Sequence, residues 1–88
     1  MASYRLLIKE SAAKELEGLG LADRRRIVDR IRSLSENPRP AGSEKLSGQE
    51  KFRVRHGDFR ILYEVSDPGL TVTIVRVGHR REVYRSGR

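Results

Sequence analysis

The chain contains no cysteine and no long hydrophobic run. Without cysteine it can form neither disulfides nor thiolate metal sites, which fits a reducing cytoplasm. No apolar stretch approaches the roughly 20 residues that a helix needs to cross a bilayer. The first ten residues, MASYRLLIKE, also lack the apolar segment of a secretion signal. We therefore expect a soluble, cytoplasmic protein with no membrane partner.

Residues that usually carry metal or cofactor chemistry are also scarce. The only histidines are His56 and His79, and no carboxylate cluster lies near either of them in the sequence. No segment matches a phosphate-binding P-loop, a dinucleotide-binding fingerprint or a nucleophile elbow. The sequence thus predicts no metal site and no cofactor, and it offers no support for covalent hydrolysis.

Cationic side chains, by contrast, are abundant. The 19 Lys and Arg residues outnumber 12 Asp and Glu, which gives a net charge of +7 and a pI near 10.6, a range typical of nucleic-acid-binding proteins. Of these 19 cations, 15 are arginine, whose planar guanidinium pairs with two phosphate oxygens at once. Residues 1–50 carry 10 cations and 8 anions (+2), whereas residues 51–88 carry 9 and 4 (+5). The second half is therefore the half expected to meet an anionic partner.

The first half of the chain predicts one strand and two helices. Tyr4–Ile8 is apolar enough for a strand, and Ser11 is a candidate N-cap for a first helix that ends at Gly18 and Gly20. A second helix begins near Ala22 or Asp23 and stops at Asn37-Pro38. Its apolar residues follow the spacing of one buried helical face: Ile27, Val28, Ile31 and Leu34.

The second half predicts three strands after a loop at residues 38–50. Apolar and polar residues alternate over 52–55 and 59–65 on either side of a turn at His56, and a third strand covers 70–77 before Gly78 ends it. The whole pattern is β-α-α-β-β-β. It predicts a single α+β domain over residues 1–88, with a helical hairpin packed on one face of a small, mostly antiparallel sheet.

Strand alternation places several arginines together. If the aromatic and aliphatic residues of 52–65 face the helices, then Arg53, Arg55 and Arg60 share the opposite, uncovered face. Such a cluster suits metal-free cleavage of RNA, in which the ribose 2′-hydroxyl attacks the adjacent phosphorus. Arginines can hold the strand and neutralise the phosphoryl oxygens, while His79 or Tyr84 moves protons. Arginines on an exposed strand are more often merely solvated, and His56 is expected to be a turn residue.

The stretches KLSGQEKFRVRHGDFRILYEV and TIVRVGHRREVY resemble the RelE group of the RelE/ParE toxin superfamily. The resemblance implies the toxin half of a type II toxin–antitoxin pair. Many RelE-like toxins cut messenger RNA in the ribosomal decoding site without a metal and are silenced by a bound antitoxin. The implied partners are thus a cognate antitoxin in a hetero-oligomer, mRNA and the ribosome.

Site residues follow from the same resemblance. The basic residues of the catalytic face correspond to Arg53, Arg55 and Arg60, and a C-terminal pair corresponds to Arg80 and Tyr84. The first two positions are lysine in the family pattern, and arginine there keeps phosphate binding but is not a proton acceptor. The catalytic residues we predict are Arg53, Arg55, Arg60, His79, Arg80 and Tyr84, and the additional RNA-binding residues are Lys45, Lys51 and Arg81.

Two other functions fit the same residues. A ParE-type toxin shares the fold but inhibits DNA gyrase by binding it. A non-catalytic basic module that binds RNA or the ribosome is the other alternative. The dense basic set followed by Tyr84 favours the nuclease.

Overall fold

The computed structural model describes residues 3–46 and 51–79, which form two helices and five strands in an α+β fold. This confirms the predicted helical hairpin on a mostly antiparallel sheet. In that part of the chain, no helix is long and apolar enough to cross a membrane. The elements in chain order are β1 (Arg5–Ile8), α1 (Glu10–Glu17), α2 (Leu21–Glu36), β2 (Glu44–Lys45), β3 (Lys51–His56), β4 (Phe59–Ser66) and β5 (Thr71–His79).

The sheet has the strand order β1-β5-β4-β3-β2. β1 runs parallel to β5, and the other neighbouring pairs are antiparallel. The short strand β2 was not predicted: it pairs with β3 from within the segment assigned to a loop, and two residues are too few to show alternation. β3 and β4 are joined by a two-residue turn in which Gly57 has a φ of +62°, a conformation that glycine adopts without a steric cost.

The two helices differ from expectation only at their beginnings. α1 starts at Glu10, so Ser11 is not its N-cap; the Ser11 hydroxyl instead donates to the Val75 carbonyl oxygen at 3.1 Å. α2 starts at Leu21 after Gly20 and ends at Glu36, before the predicted stop at Asn37-Pro38. The Ser11 bond ties the start of α1 to β5.

One hydrophobic core lies between the helices and one face of the sheet. The buried face of α2 contributes Ile27, Ile31 and Leu34, as its spacing predicts. From the sheet, Phe52 and Tyr63 are cross-strand partners whose rings stack with centroids 5.7 Å apart. The remaining members of the core are Ala12, Leu16, Val54, Ile61, Val65, Val72, Ile74 and Val77. Because these side chains of β3 and β4 face the helices, the alternating residues must face away.

β5 extends further than the sequence indicates. Gly78 does not end the strand: it pairs with Arg60, and His79 pairs with Phe59. A register shift lies between Leu62 and Tyr63, where Leu62 pairs with Arg76 but Tyr63 pairs with Ile74. Val75 is therefore an extra residue on β5 with no partner on β4. The side chains that follow it lie on the opposite face from the one that strict alternation would give them.

Candidate nucleic-acid interface

Four cations lie on the side of β3 and β4 that faces away from the helices. The β3–β4 register pairs Lys51 with Glu64, Arg53 with Leu62, and Arg55 with Arg60, each alternating with a core pair. The structure therefore brings the three predicted arginines onto one side of the sheet. We call this surface the basic face and define it by Lys51, Arg53, Arg55 and Arg60.

The basic face is less open than the sequence suggests. Arg55 is exposed, but the Arg53 side chain is only 17% exposed and Arg60 only 7%. Arg60 lies on β4, the middle strand of the sheet, between Arg55 on one side and Gly78 on the other. Glycine presents no side chain, so the Arg60 side chain can lie along the sheet instead of extending into solvent. Local alternation does not predict this burial.

Arg55 and Arg60 form a like-charge pair across the strands. Residues directly opposite on one face have Cβ atoms about 5 Å apart, and like charges there are destabilising. An anion at this position would be attracted by both charges, and the exposed Arg55 guanidinium can offer a phosphate two parallel N–H donors. The pair is therefore suited to a phosphate or to a phosphoryl group on which charge is increasing.

Two carboxylates also lie on this side of the sheet. Glu44 of β2 accepts a hydrogen bond from Arg53 (Nη2 to Oε2, 3.0 Å), and Glu64 forms an ion pair with Lys51 at 3.7 Å. Alternation along β4 already places Glu64 on the side of Arg60, although it received no role in the sequence prediction. Glu44 could not be found that way, because β2 was unrecognised. The Arg53–Glu44 bond orients the guanidinium on the face.

A groove continues the basic face toward the turn between β4 and β5. It has a volume of about 580 Å³. Glu64 is the cross-strand partner of both Lys51 and Thr73, so all three meet at this groove. Its further lining is Val65, Ser66, Asp67, Pro68 and Thr71.

The two histidines lie on the other side of the sheet. Both pair with Phe59, and the rings of Phe59 and His79 meet edge-on with centroids 6.2 Å apart. They line a cavity of about 360 Å³ together with Asp23 and Arg26 of α2. Strict alternation from Ile74 would put His79 beside the arginines, but the register shift in β5 reverses it. The structure thus does not bring His79 together with Arg55 and Arg60.

The other residues singled out from the sequence lie away from the basic face or outside the described residues. Lys45 is exposed and pairs with Phe52, so alternation puts it on the helix side of the sheet and not on the basic face. Arg80, Arg81 and Tyr84 lie outside the described residues. His56 is the last residue of β3 and not part of the turn itself.

A charged cluster at the opposite end of the sheet from Gly57 ties three segments together. Arg39 donates two hydrogen bonds to the Asp67 carboxylate, at 3.2 and 2.9 Å, and the Tyr4 hydroxyl donates a third at 2.8 Å. These bonds hold the pKa of Asp67 below its ordinary value, and the bonds from Arg39 have the largest effect. The Arg39 guanidinium also lies 5.2 Å from the centre of the Phe52 ring. The cluster fixes the β4–β5 turn, one boundary of the groove.

Comparison with known proteins gives one consistent result. Residues 6–84 match the family described as ParE toxin of type II toxin-antitoxin system, parDE. The mRNA interferase toxin RelE of Escherichia coli is 32% identical over 87 residues, covering 93% of this chain and 90% of the relative. The toxin–antitoxin complex RelBE2 from Mycobacterium tuberculosis has a TM-score of 0.80 at 29% identity, covering 91% of this chain and 94% of that one. For the isolated E. coli RelE toxin, the TM-score is 0.77 at 29% identity, with 97% and 95% covered.

Proposed function

We propose that this chain, which belongs to the RelE/ParE superfamily of type II toxins, is an endoribonuclease that cleaves messenger RNA and thereby inhibits translation. The observation that carries the proposal is the cross-strand pair Arg55–Arg60 on the basic face. Two arginines directly opposite each other on one face of the sheet concentrate positive charge at one position, and a phosphate is an anion suited to it. The mRNA interferase name of the E. coli relative supports RNA as the source of that phosphate.

The chemistry needs no nucleophile from the protein. The ribose 2′-hydroxyl loses its proton and its oxygen bonds to phosphorus, while the bond from phosphorus to the 5′-oxygen breaks and that oxygen takes up a proton. Arg55 and Arg60 would neutralise the charge that builds on the two non-bridging oxygens. Arg53, held by Glu44, would fix the strand so that the attacking and leaving oxygens are in line.

The arginines of the basic face cannot transfer the protons. Arginine remains protonated at any ordinary pH, so Arg53, Arg55 and Arg60 cannot act as the base. His79 lies on the other side of the sheet, which favours Tyr84 of the two residues predicted from sequence. We assign proton transfer to Tyr84 and contact with the leaving side to Arg80; both assignments rest on the sequence resemblance.

The proposal includes three further points. The reaction is metal-independent, because substrate and arginines supply the nucleophile and the charge stabilisation. The mRNA is cut while bound to the ribosome, as the resemblance to RelE implies. A cognate antitoxin silences the toxin in a hetero-oligomer, which the toxin–antitoxin complexes among the structural relatives support.

A second candidate function is inhibition of DNA gyrase. The matching family carries the ParE name, and ParE-type toxins share this fold. A cationic face can bind an acidic protein surface as well as RNA, so charge does not separate the two functions. The arginine pair, arranged for a phosphate, favours the nuclease.

An in vitro translation reaction tests the proposal. Purified protein is added, breaks in the mRNA are mapped, and the new ends are analysed. The proposal predicts breaks at the ribosomal A site that leave 2′,3′-cyclic phosphate ends. A 2′-O-methyl group on the nucleotide at the break should prevent cleavage there. Intact mRNA together with blocked supercoiling by gyrase would reject the proposal and support the second candidate.

A further inference from the structure

The groove beside the basic face is built differently from the arginine pair. Lys51 and Glu64 contribute opposite charges to it, and Thr71 and Thr73 contribute hydroxyl groups. The second carboxylate of the lining, Asp67, already accepts hydrogen bonds from Arg39 and Tyr4. Its volume of about 580 Å³ is within the range of roughly 300–1,000 Å³ found for small-ligand sites. A surface that only attracted phosphates would need neither a carboxylate nor neutral hydroxyls, so this lining points to a ligand with hydrogen-bond donors of its own.

The groove is continuous with the face that is proposed to hold the scissile phosphate. Lys51, Arg53 and Arg55 are alternate residues of β3, so their side chains follow one another on the same face at intervals of about 7 Å. A single RNA strand whose phosphate rests on Arg55 and Arg60 can therefore pass over Arg53 and reach the groove. The cations of this path complement the phosphate backbone, and they favour RNA over another ligand of similar size.

The ion pair in the groove can be exchanged. Lys51 and Glu64 are 3.7 Å apart, with side chains 43% and 38% exposed. Exposed pairs of this kind contribute little to stability, so a ligand can separate them at a small cost. Lys51 would then turn to a phosphate and the Glu64 carboxylate to a donor on the base.

We propose that this groove binds one nucleoside of the RNA strand and that Glu64 selects its base by accepting a hydrogen bond from an amino group. The inference rests on the proposed nuclease function and adds a specificity subsite to it. An ionised carboxylate only accepts hydrogen bonds. Cytosine and adenine offer an amino group next to a ring nitrogen. Uracil offers only an N–H between two carbonyl oxygens, which repel a carboxylate. Uridine is therefore the nucleoside that the groove disfavours.

The test compares cytidine with uridine, which differ in the 4-amino and 4-keto groups. RNAs identical except for C or U at one position are prepared for each position on either side of the mapped cleavage site. Single-turnover cleavage is measured for wild type, Glu64→Ala and the control Glu17→Gln, using ribosome-bound RNA. Glu17 is exposed at the end of α1, and its substitution, like Glu64→Ala, removes one negative charge.

The expected result is a preference for cytidine of roughly 5- to 100-fold at one position, the usual range for one specific base contact. Glu64→Ala should abolish the preference by accelerating cleavage of the uridine RNA or slowing that of the cytidine RNA, and Glu17→Gln should retain it. Glu64→Gln, whose amide offers both a donor and an acceptor, should tolerate uridine. Binding of RNA carrying a 2′-O-methyl at the cleavage nucleotide should show the same preferences without turnover.

The outcomes are distinguishable. Wild-type cleavage with no preference at any position, or a preference that Glu64→Ala retains, overturns the subsite and leaves the nuclease function intact. Loss of antitoxin affinity in Glu64→Ala with an unchanged cleavage pattern also overturns it, because the groove then belongs to the protein partner. Absence of any cleavage by wild type rejects the nuclease function, and the subsite with it.

Discussion

Glu15 of α1 covers the edge of β5 that β1 leaves open. β1 pairs with β5 only as far as Ile8 and Ile74. Further along, Glu15 accepts the Val77 backbone N–H at 2.8 Å and forms an ion pair with Arg76 at 2.7 Å. The hydrogen bond to Glu15 raises the pKa of Arg76 above its ordinary value. One carboxylate thus replaces a missing strand neighbour, and we predict that Glu15→Ala destabilises the fold.

The magnitude follows from the contacts that are lost. A hydrogen bond to a charged group contributes about 1.5–3 kcal/mol, and a donor left without its acceptor costs a similar amount. Both side chains are 26% exposed, so solvent screens part of the ion pair. We expect Glu15→Ala to lower the free energy of unfolding by about 2 kcal/mol, which corresponds to a Tm lower by about 8–16 °C in a domain of this size.

Urea unfolding followed by far-UV circular dichroism measures this loss, and an unchanged m-value would show that the unfolded state is the same. Glu15→Gln is the matched control, because its amide oxygen can still accept the Val77 N–H while the charge is gone. It should lose about 1 kcal/mol, roughly half the effect of alanine. Equal losses for Gln and Ala, or an alanine variant as stable as wild type, would show that the Glu15 carboxylate does not stabilise this edge of β5.

Three further predictions concern stability. Tyr63→Phe removes the buried hydroxyl that donates to the Pro38 carbonyl oxygen at 2.7 Å. Urea unfolding should show a free energy of unfolding lower by about 1–3 kcal/mol. RNA cleavage should be unchanged, because Tyr63 faces the helices. A Tyr63→Phe variant as stable as wild type would show that this hydrogen bond does not stabilise the fold. The lowered pKa of Asp67 means that its carboxylate stabilises the fold above the ordinary value of 3.8, and that this contribution is lost as pH falls toward the folded-state pKa. Between pH 5 and pH 2, a thermal-melt series should therefore show a smaller fall in Tm for Asp67→Asn than for wild type; parallel curves would argue against the cluster. Gly57→Ala should cost about 1–2 kcal/mol, because φ is +62° and no neighbouring atom lies within 4 Å of the added Cβ, so backbone strain is the whole effect. An unchanged urea midpoint would show that the turn can adopt another conformation.

The parts of the fold that sequence predicts well are those governed by local periodicity. The alternation of Phe52 and Val54 with Arg53 and Arg55 is enough to place the arginines opposite the core. The spacing of the apolar residues of α2 gives its buried face in the same way. In both cases a single element carries the information, because side-chain direction follows directly from helix or strand geometry.

The parts that sequence misses depend on contacts between elements. The position of His79 is reversed by one additional residue in β5, and nothing near Val75 in the sequence announces it. Arg60 is buried and pairs with Gly78 on the adjacent strand, and no local pattern reveals either fact. The parallel pairing of β1 with β5 joins distant parts of the chain and cannot be inferred from either strand alone.

The proposed nuclease function requires that Arg55 acts on the phosphate and does not merely add positive charge. Arg55→Ala and Arg32→Ala each remove one exposed arginine, the first from the basic face and the second from the outer side of α2. Arg55→Ala also removes a positive charge directly opposite Arg60, so it should fold at least as well as wild type. Single-turnover cleavage of ribosome-bound mRNA should be about 10²–10³-fold slower for Arg55→Ala and close to wild type for Arg32→Ala. Equal rates for the two variants would contradict the claim.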